Sequence, residues 1–252
     1  MGDSAAVVLA SYNIKGGVGK TSAAVNLAYL AARDGAPTLL WDLDPQAAST
    51  YLLRVKPKVK GGGRALVRGK TEPDARIKGT DYDRLDLLPA DFSYRHMDLH
   101  LDGGKRPQRR LTRMLAPLEE EYEYVFLDCP PSISLASENV FEAADALLIP
   151  LLPAELSART LDQIEDVAPP SVRRLAFFSM VDSRKRMHRE VMARFLAERP
   201  GMLRTVIPLA ADVERMGQTR APLEEFAPRG SAAVAFRELW KEIRERLAGS
   251  DG

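Results

Sequence analysis

The sequence predicts a single α/β domain in which a mostly parallel, twisted sheet is covered by helices on both faces. Apolar, strand-like runs alternate with helical stretches along the chain, which is the pattern of a parallel sheet with crossover helices. A chain of 252 residues can build one substantial core without a second domain. We therefore expect one domain over residues 1–252, with a disordered tail at 248–252. The predicted strands are Val7–Tyr12, Thr38–Trp41, Leu85–Leu88, Tyr124–Leu127, Ala146–Leu151, Arg174–Ser179 and Arg204–Ile207.

Composition excludes several classes of protein. The formal net charge is +1, so any charged partner must be recognised by local clusters rather than by the overall balance. The single cysteine, Cys129, excludes a disulfide framework and fits a reducing cytoplasm. No run approaches the roughly 18–20 apolar residues of a membrane span, and the first residues have no secretory character. We expect a cytoplasmic protein that does not bind membranes.

A glycine-rich loop joins the first predicted strand to the first predicted helix. Such a turn directs several backbone N–H groups at one point, and the helix N-terminus adds partial positive charge. Lys20 can then reach the β- and γ-phosphates of a nucleotide, and the Thr21 hydroxyl can bind Mg²⁺. The loop therefore predicts a P-loop NTPase. The nucleotide-binding residues expected here are Lys15, Gly16, Gly17, Val18, Gly19, Lys20, Thr21 and Ser22.

The loop departs from the usual pattern G-x-x-x-x-G-K-[ST] at its first position. Ile14 stands where that pattern has glycine, and a second lysine, Lys15, precedes the paired glycines. A lysine so near the first turn cannot easily fold back onto its own phosphates. We therefore expect Lys15 to be free to reach a nucleotide held by another subunit.

Three acidic residues follow two of the predicted strands. Asp42 and Asp44 come after Thr38–Trp41, and Asp128 comes after Tyr124–Leu127. Ligands of open parallel sheets lie outside the carboxyl ends of the strands, and the alternate spacing of Asp42 and Asp44 puts both on one side. One of these two can orient Mg²⁺ or its waters, and the other can position an attacking water. Asp128 is expected to hold the Mg²⁺ shell. The predicted metal site consists of Thr21, Asp42, Asp44 and Asp128.

Together these segments resemble the ParA/MinD family of P-loop ATPases with a deviant loop, and the ParA branch in particular. The resemblance rests on the run Lys15 to Thr21, on Asp42-Leu43-Asp44-Pro45-Gln46 and on Leu127-Asp128-Cys129-Pro130-Pro131. Weaker similarities extend it over nearly the whole chain. It implies a protein that binds ATP and Mg²⁺ and closes into a homodimer with ATP sandwiched at the interface. It also implies non-specific binding to double-stranded DNA and a nucleoid-associated location.

The same resemblance implies a cargo, which is a plasmid, a chromosome region or a protein complex. A ParB-like or other cargo adaptor protein would stimulate an ATPase that is weak alone. The implied catalytic residues are Lys15, acting across the interface, with Lys20 and Asp44. By the same resemblance the adenine base would lie near Met180, Asp182 and Pro208.

Basic residues form several clusters. The segment 54–80 holds seven lysines and arginines up to Lys70 with no acid among them, around a run of three glycines, and predicts a mobile basic surface segment. A second cluster runs from Lys105 to Arg113. Few aromatic residues interleave with these clusters, which favours duplex backbone binding over single-strand stacking. The preferred DNA contacts are Arg184, Lys185, Arg186, Arg189, Arg215 and Arg220.

Two other functions stay open at this stage. A MinD-like membrane-cycling ATPase would use the C-terminal helix, where Val234–Leu247 places apolar residues on one face. Its polar face mixes acids with bases, whereas a membrane-surface helix should be richer in cations, so we expect this helix to pack on the domain. A metabolic P-loop enzyme of the dethiobiotin-synthetase type would need a small-molecule acceptor.

Overall fold

The computed structural model describes residues 5–56, 73–101, 107–199 and 201–249. Seven strands in these residues form one sheet, in the order β3-β4-β2-β5-β1-β6-β7. Every neighbouring pair is parallel except β3 with β4, which is antiparallel. The strands are β1 Val7–Ser11, β2 Thr38–Asp42, β3 Lys78–Gly79, β4 Leu85–Leu88, β5 Tyr124–Asp128, β6 Ala146–Leu151 and β7 Arg173–Phe178.

Helices cover both faces of the sheet. They are α1 Lys20–Arg33, α2 Ala48–Leu52, α3 Met97–Leu101, α4 Arg110–Leu115, α5 Leu135–Ala143, α6 Leu156–Val167, α7 Arg186–Glu198, α8 Ala211–Thr219, α9 Leu223–Phe226 and α10 Ser231–Ala248. Short 3₁₀ turns lie at Asp74–Arg76, Phe92–His96, Pro107–Arg109 and Ala116–Leu118. The predicted α/β fold with a mostly parallel sheet is confirmed.

Successive side chains of each strand point to opposite faces of the sheet, and the buried ones form two hydrophobic cores. In β1, Leu9 packs with α1, α8, α9 and α10 on one face. Its neighbours Val8 and Ala10 pack with α3 to α7 on the other face. Successive side chains of a strand point to opposite faces, so one buried strand serves both cores. The central strands are buried throughout, and this holds their carboxyl ends at one rigid edge.

The predicted strand at Arg204–Ile207 is wrong. This segment is extended and donates to β7 from the Leu203 N–H to Ala176 and from the Ile207 N–H to Phe178, both at 2.8 Å, but its one β-bridge is the isolated parallel pair Val181 and Pro208. The carboxylate of Glu242 on α10 accepts hydrogen bonds from the backbone N–H groups of Arg204 at 2.7 Å and Thr205 at 2.9 Å. Because a distant side chain takes these N–H groups, no regular ladder forms beside β7.

The prediction of a mobile segment over 54–80 is wrong at its C-terminal end. Asp74–Arg76 form a 3₁₀ turn, and β3 adds an antiparallel edge to β4. The Thr80 hydroxyl fastens the turn between them by donating to the Leu85 carbonyl at 2.6 Å. A two-residue strand of lysine and glycine has no hydrophobic pattern from which it could be predicted. Residues 57–72 of that prediction lie outside the described residues.

The C-terminal helix packs on the domain, as predicted. Trp240 of α10 is buried, and its ring centroid lies 5.1 Å from that of Tyr124 and 5.9 Å from that of Phe126 on β5. Its indole N–H donates to Asp34 at 3.1 Å. The predicted tail at 248–252 begins too early, because α10 continues through Ala248, and residues 250–252 lie outside the described residues. Among the helices described, none has the length and apolar content to span a membrane.

Replacing Trp240 by alanine should lower the free energy of unfolding by about 3–5 kcal/mol, because it opens a cavity between α10 and β5 and removes the bond to Asp34. Urea unfolding followed by circular dichroism measures this loss. The control is Val234→Ala on the same helix, where the side chain is 40% exposed and the change should stay within about 0.5 kcal/mol. Equal losses in the two variants would contradict the packing role of Trp240.

Candidate nucleotide-binding site

The glycine-rich loop is held at both ends by buried polar groups. The Ser11 hydroxyl at the end of β1 donates to the Lys20 carbonyl at 2.8 Å, which ties the strand to the first turn of α1. The Asn13 side chain donates to the Pro150 carbonyl of β6 at 2.8 Å and accepts from the Lys15 N–H at 2.8 Å. These bonds fix the entry and exit of the loop, so its N–H groups face a defined space at the carboxyl edge of the sheet.

Two glycines give the loop its shape. Gly17 and Gly19 have left-handed φ values of 69° and 98°, a conformation that residues with a Cβ rarely adopt. At Gly19 an added Cβ would also lie 2.8 Å from the Ser179 hydroxyl oxygen. The absence of a side chain at Gly19 therefore lets the segment after β7 approach the loop closely.

The two loop lysines point in different directions. Lys20 is 7% exposed, and its ammonium donates to the Lys15 carbonyl at 2.9 Å, inside the loop. Burial lowers the pKa of Lys20, and the nearby carboxylate of Asp128 acts in the opposite sense. The Lys15 ammonium instead donates to the Leu156 carbonyl at the start of α6, at 3.3 Å on the surface. Lys20 thus serves the loop, while Lys15 reaches outward.

Asp42 and Asp128 lie side by side on neighbouring strands. Both strands extend one residue beyond the prediction, and the register pairs Asp42 of β2 with Asp128 of β5. Both carboxyls are completely buried. Burial is the largest cause that raises the pKa of each, and the charge of Asp128 also raises that of Asp42. Such a pair needs hydrogen bonds or a cation to carry two charges.

Helix α2 supplies hydrogen bonds to both carboxylates from two adjacent residues. The Ser49 hydroxyl donates to Asp128 Oδ2 at 2.6 Å. The Thr50 N–H and hydroxyl donate to Asp42 Oδ2 at 2.8 and 2.7 Å, and the N–H of Asp44 donates to Asp42 Oδ1 at 3.1 Å. Sequence reasoning missed Ser49 and Thr50, because a polar pair after a turn has no pattern that separates a buried position from a surface one.

The site has the donor set that Mg²⁺ prefers. Asp128 Oδ1 is buried without a hydrogen-bond partner, and the hydroxyl of Thr21 is close enough to lower the pKa of Asp128. Hard cations take oxygen ligands, and Mg²⁺ keeps several waters and phosphate oxygens when a protein offers one or two groups. In the part of the chain that the structure describes, no group of three or more His, Cys, Asp or Glu side chains could hold a metal alone. The residues therefore fit a magnesium ion shared with phosphates.

Asp42 is less suited to direct metal contact than the sequence suggests. Both its oxygens already accept hydrogen bonds, from Thr50 and from Asp44. Its position makes it an anchor for α2 and for the loop that carries Asp44. A metal contact by Asp42 stays a prediction.

Asp44 lies at the mouth of the site. It is partly exposed, and its Oδ1 accepts from the Gln46 N–H at 2.8 Å, which forms a local turn before α2. Ala47 completes that turn with a left-handed φ of 57°. A carboxylate on a turn tied to Asp42 is available to solvent and is positioned by the buried pair. Its catalytic role stays a prediction.

The three residues predicted around the base come together after β7. Met180 has a left-handed φ of 55°, and the following residue, Val181, forms the bridge with Pro208. Asp182 turns its carboxylate to Arg184 at 2.9 Å, and hydrogen bonds from Arg184 lower its pKa to about 2. The Asp182 N–H donates to His188 Nδ1 at 3.1 Å. Contact of these residues with adenine stays a prediction.

The predicted DNA contacts fall in two places. Arg184, Lys185, Arg186 and Arg189 surround the start of α7, where Arg186 pairs with Glu190 at 2.6 Å and Arg189 donates to the Ser183 carbonyl. Arg215 and Arg220 lie at the end of α8, where Arg215 pairs with Asp212 at 2.9 Å. Of the second predicted cluster, residues 105 and 106 lie outside the described residues, and Arg109 pairs with Glu142 at 3.5 Å.

A glycine loop between β1 and α1, a buried lysine, a helix-start hydroxyl and acids at two adjacent strand ends define a P-loop nucleotide-binding protein. Comparison with known proteins agrees. Residues 6–169 match the family model of an AAA domain. The chromosome-partitioning ATPase Soj of Thermus thermophilus is 33% identical over 254 residues, which cover 95% of this chain and 96% of that protein.

Solved structures are similar over almost the whole chain. Cobyrinic acid a,c-diamide synthase of Mycobacterium smegmatis, with bound ADP and magnesium, has a TM-score of 0.80 and 26% identity, covering 98% of this chain and 97% of that one. McdA of Cyanothece in complex with ATP has a TM-score of 0.83 at 20% identity, covering 95% and 97%, and indicates the shared fold. The chain belongs to the AAA domain family and, within it, to the ParA/MinD family of P-loop ATPases. The predicted family and ATPase class are confirmed.

Gly19→Ala should weaken ATP binding by at least about tenfold, since it combines a strained φ with a clash at Ser179 and together these exceed about 1.4 kcal/mol. Isothermal titration calorimetry measures the change. Adding Ser179→Ala should recover part of it by removing the hydroxyl.

Gly35→Ala is the matched control for Gly19→Ala. Gly35 has a φ of 100°, almost that of Gly19, but an added Cβ has no neighbour within 4 Å, and it lies beyond the far end of α1. This variant should lose stability and keep its ATP affinity. Unchanged affinity in Gly19→Ala, or equal losses in both variants, would contradict the steric account.

Proposed function

We propose that this ATPase dimerises with ATP, binds double-stranded DNA without sequence preference in that state, and positions or segregates a cargo. A partner protein, ParB-like or another cargo adaptor, stimulates hydrolysis and releases the dimer. The observation that carries the proposal is the divergence of the two loop lysines. Lys20 is held within its own loop, whereas Lys15 extends to the surface at α6. This divergence supports a role for Lys20 at its own nucleotide and for Lys15 at the nucleotide of a second subunit.

The cofactors of the reaction are ATP and Mg²⁺. When bound, they supply the reactive γ-phosphoryl group and the charge that offsets its oxygens. Within this chain, Lys20 would exchange its bond to the Lys15 carbonyl for a bond to a phosphate oxygen. Thr21 and Asp128 would hold the Mg²⁺ ion. Asp44 orients the attacking water. Phosphoryl transfer needs little beyond positioning and charge, so a site without Lys15 of a second subunit turns over slowly.

Apolar side chains around the same edge support the dimer. Leu156, Met187 and Leu209 are each more than half exposed. They begin α6, begin α7 and follow the bridge at Pro208, so all three flank the segments that border the loop. We propose that these three residues belong to one interaction surface, since exposed large apolar residues that cluster are typical of such surfaces. A second subunit placed there would cover them and receive Lys15.

The cluster at the start of α7 supports binding to DNA phosphates. The side chains of Arg184 and Arg186 are 87% and 84% exposed. Exposed ion pairs contribute little to stability, so phosphate groups can replace Asp182 and Glu190 as their partners. Contacts of this kind recognise the backbone and not the bases. The proposal places the protein on the nucleoid.

The Thermus relative supports the cargo part of the proposal, since it is named a chromosome-partitioning ATPase. The MinD-like alternative has weaker support, because the apolar face of α10 is packed against β5 and α1. The other alternative, a metabolic P-loop enzyme of the dethiobiotin-synthetase type, is not favoured by the likeness to the Mycobacterium smegmatis synthase. Such an enzyme should turn over with a small-molecule acceptor and without DNA or a protein activator.

Binding to a random-sequence duplex tests the proposal directly. Fluorescence anisotropy with ATP, with ADP and without nucleotide should show binding with ATP alone, and the affinity should fall steeply as salt rises. Removing Arg184 and Arg186 should weaken binding and reduce the salt slope by about one per lost contact. The control is Arg246→Ala at the other end of the domain. Absence of binding in every nucleotide state would reject the DNA function and favour the metabolic enzyme.

Lys15→Ala should retain ATP affinity and lose the ATP-dependent dimer, because the side chain acts in the other subunit. Light scattering with ATP measures the oligomeric state. Lys78→Ala, which removes an exposed lysine on the edge strand β3, should still dimerise. A dimer in Lys15→Ala that matches the native one would remove this residue from the interface.

Asp44→Ala should still bind ATP, dimerise and hold DNA, while hydrolysis falls by about 100-fold or more because the water loses its positioning group. Phosphate release in the presence of DNA measures the rate. Gln46→Ala, two residues further on the exposed turn, should keep most of the activity. Native turnover in Asp44→Ala would exclude the role assigned to this carboxylate.

A further inference from the structure

Two arginines from distant parts of the chain each bind backbone carbonyls of the segment that carries the other. The guanidinium of Arg54, just after α2, donates to the carbonyls of Arg220 at 3.0 Å and Thr219 at 3.1 Å. The guanidinium of Arg220 donates in return to the Tyr51 carbonyl at 2.9 Å and lies 4.5 Å above the Tyr51 ring. These four residues are called the arginine clasp below. It joins the end of α2 to the end of α8.

Both arginines of the clasp have an uncommon backbone. Arg54 and Arg220 are left-handed, with φ values of 60° and 51°, a region that long side chains rarely enter. Such a conformation persists where the surrounding contacts over-determine it. Each left-handed residue turns the chain at the end of its helix, which brings the carbonyls of one segment within reach of the other segment's guanidinium.

One side of the clasp is attached to the nucleotide site. Ser49 and Thr50 of α2 bind the carboxylates of Asp128 and Asp42, and the next residue, Tyr51, carries the carbonyl that Arg220 holds. The Thr50 hydroxyl also accepts from the Ala90 N–H at 2.9 Å. The Tyr51 carbonyl is therefore linked to the acidic pair through the short helix α2.

The other side of the clasp belongs to α8, which carries Arg215. The Thr219 hydroxyl donates to the Arg215 carbonyl at 3.0 Å. Asn26 of α1, the helix that follows the phosphate loop, donates to the Met216 sulfur of α8 at 3.4 Å and accepts from the Leu223 N–H at the start of α9 at 2.9 Å. Helices α1 and α2, which both border the nucleotide site, are thus hydrogen-bonded to α8 or to the residues that follow it.

We propose that the arginine clasp transmits the nucleotide state from α2 to α8, with Arg54 as the positioning residue. The clasp then sets how Arg215 and the free edge of Arg220 are presented to DNA, and this last step rests on the proposed function. Coupling between two sites is reciprocal, so DNA bound at α8 stabilises the nucleotide state that favours it. Arg54 touches neither nucleotide nor DNA in this role.

Hydrogen exchange tests the clasp without relying on DNA. Exchange of the peptide spanning 216–223 is compared in ADP and in a non-hydrolysable ATP analogue. The native protein should show different protection in the two states, because the clasp moves with α2. Arg54→Ala should keep its affinity for both nucleotides and reduce that difference by at least about fivefold. Lys56→Ala, which removes an exposed lysine two residues further on, should keep the native difference.

A second variant guards against a general loss of structure. Arg54→Lys keeps the charge but lacks the planar fork that spans two carbonyls, and it should also lose most of the difference. The proposal would be overturned if either Arg54 variant kept the native difference in protection between the two nucleotide states, or if the native protein showed no such difference. DNA anisotropy is measured in parallel. Hydrogen exchange that depends on the nucleotide, together with no DNA binding, would reject the DNA function but not the clasp. DNA binding that depends on the nucleotide, together with unchanged hydrogen exchange, would reject the clasp alone.

Discussion

The pair of buried carboxylates at the ends of β2 and β5 is the constraint on which the rest of the site depends. Asp42 and Asp128 are direct neighbours in the sheet and are completely buried, so both cannot be charged without compensation. The protein compensates with two consecutive residues of α2, Ser49 and Thr50. Asp128 keeps one oxygen without a protein partner. The hydrogen bonds that stabilise the two carboxylates therefore also orient α2 and position the turn that carries Asp44. They leave one oxygen of Asp128 as an acceptor for a metal ion.

A rigid sheet makes this arrangement possible. The central strands are buried on both faces by two separate cores, and the phosphate loop, both acids and the residues after β7 all leave the same edge. The phosphate loop at that edge is held by a few polar contacts, such as the bonds from Ser11 to Lys20 and from Asn13 to Pro150. Rigid strands with individually tied loops allow the loops to respond to a ligand while the sheet keeps its register.

Where prediction from sequence failed, a distant side chain decided the local structure. Arg204–Ile207 has an apolar, strand-like pattern, but Glu242 takes two of its backbone N–H groups. The strand β3 is too short and too polar to carry a pattern. Arg220 was predicted as a DNA contact from its charge, and that contact stays a prediction, but the sequence did not show that its guanidinium donates to the Tyr51 carbonyl and lies over the Tyr51 ring. Charge counts along a sequence do not show which arginines have partners across the fold.

The sequence by itself determined the fold class, the phosphate loop, its second lysine and the acids at the strand ends. These features depend on spacing along the chain, since a loop between a strand and a helix is a local structure. The tertiary structure decided which hydrogen bonds each of these groups makes. It showed that both oxygens of Asp42 accept hydrogen bonds while Asp128 Oδ1 has no partner, that Ser49 and Thr50 bind the pair, and that Arg54 binds the Arg220 carbonyl while Arg220 binds the Tyr51 carbonyl. Those contacts join residues as far as 169 positions apart, and hydrogen bonds at that separation exist only once the sheet has brought the strands together.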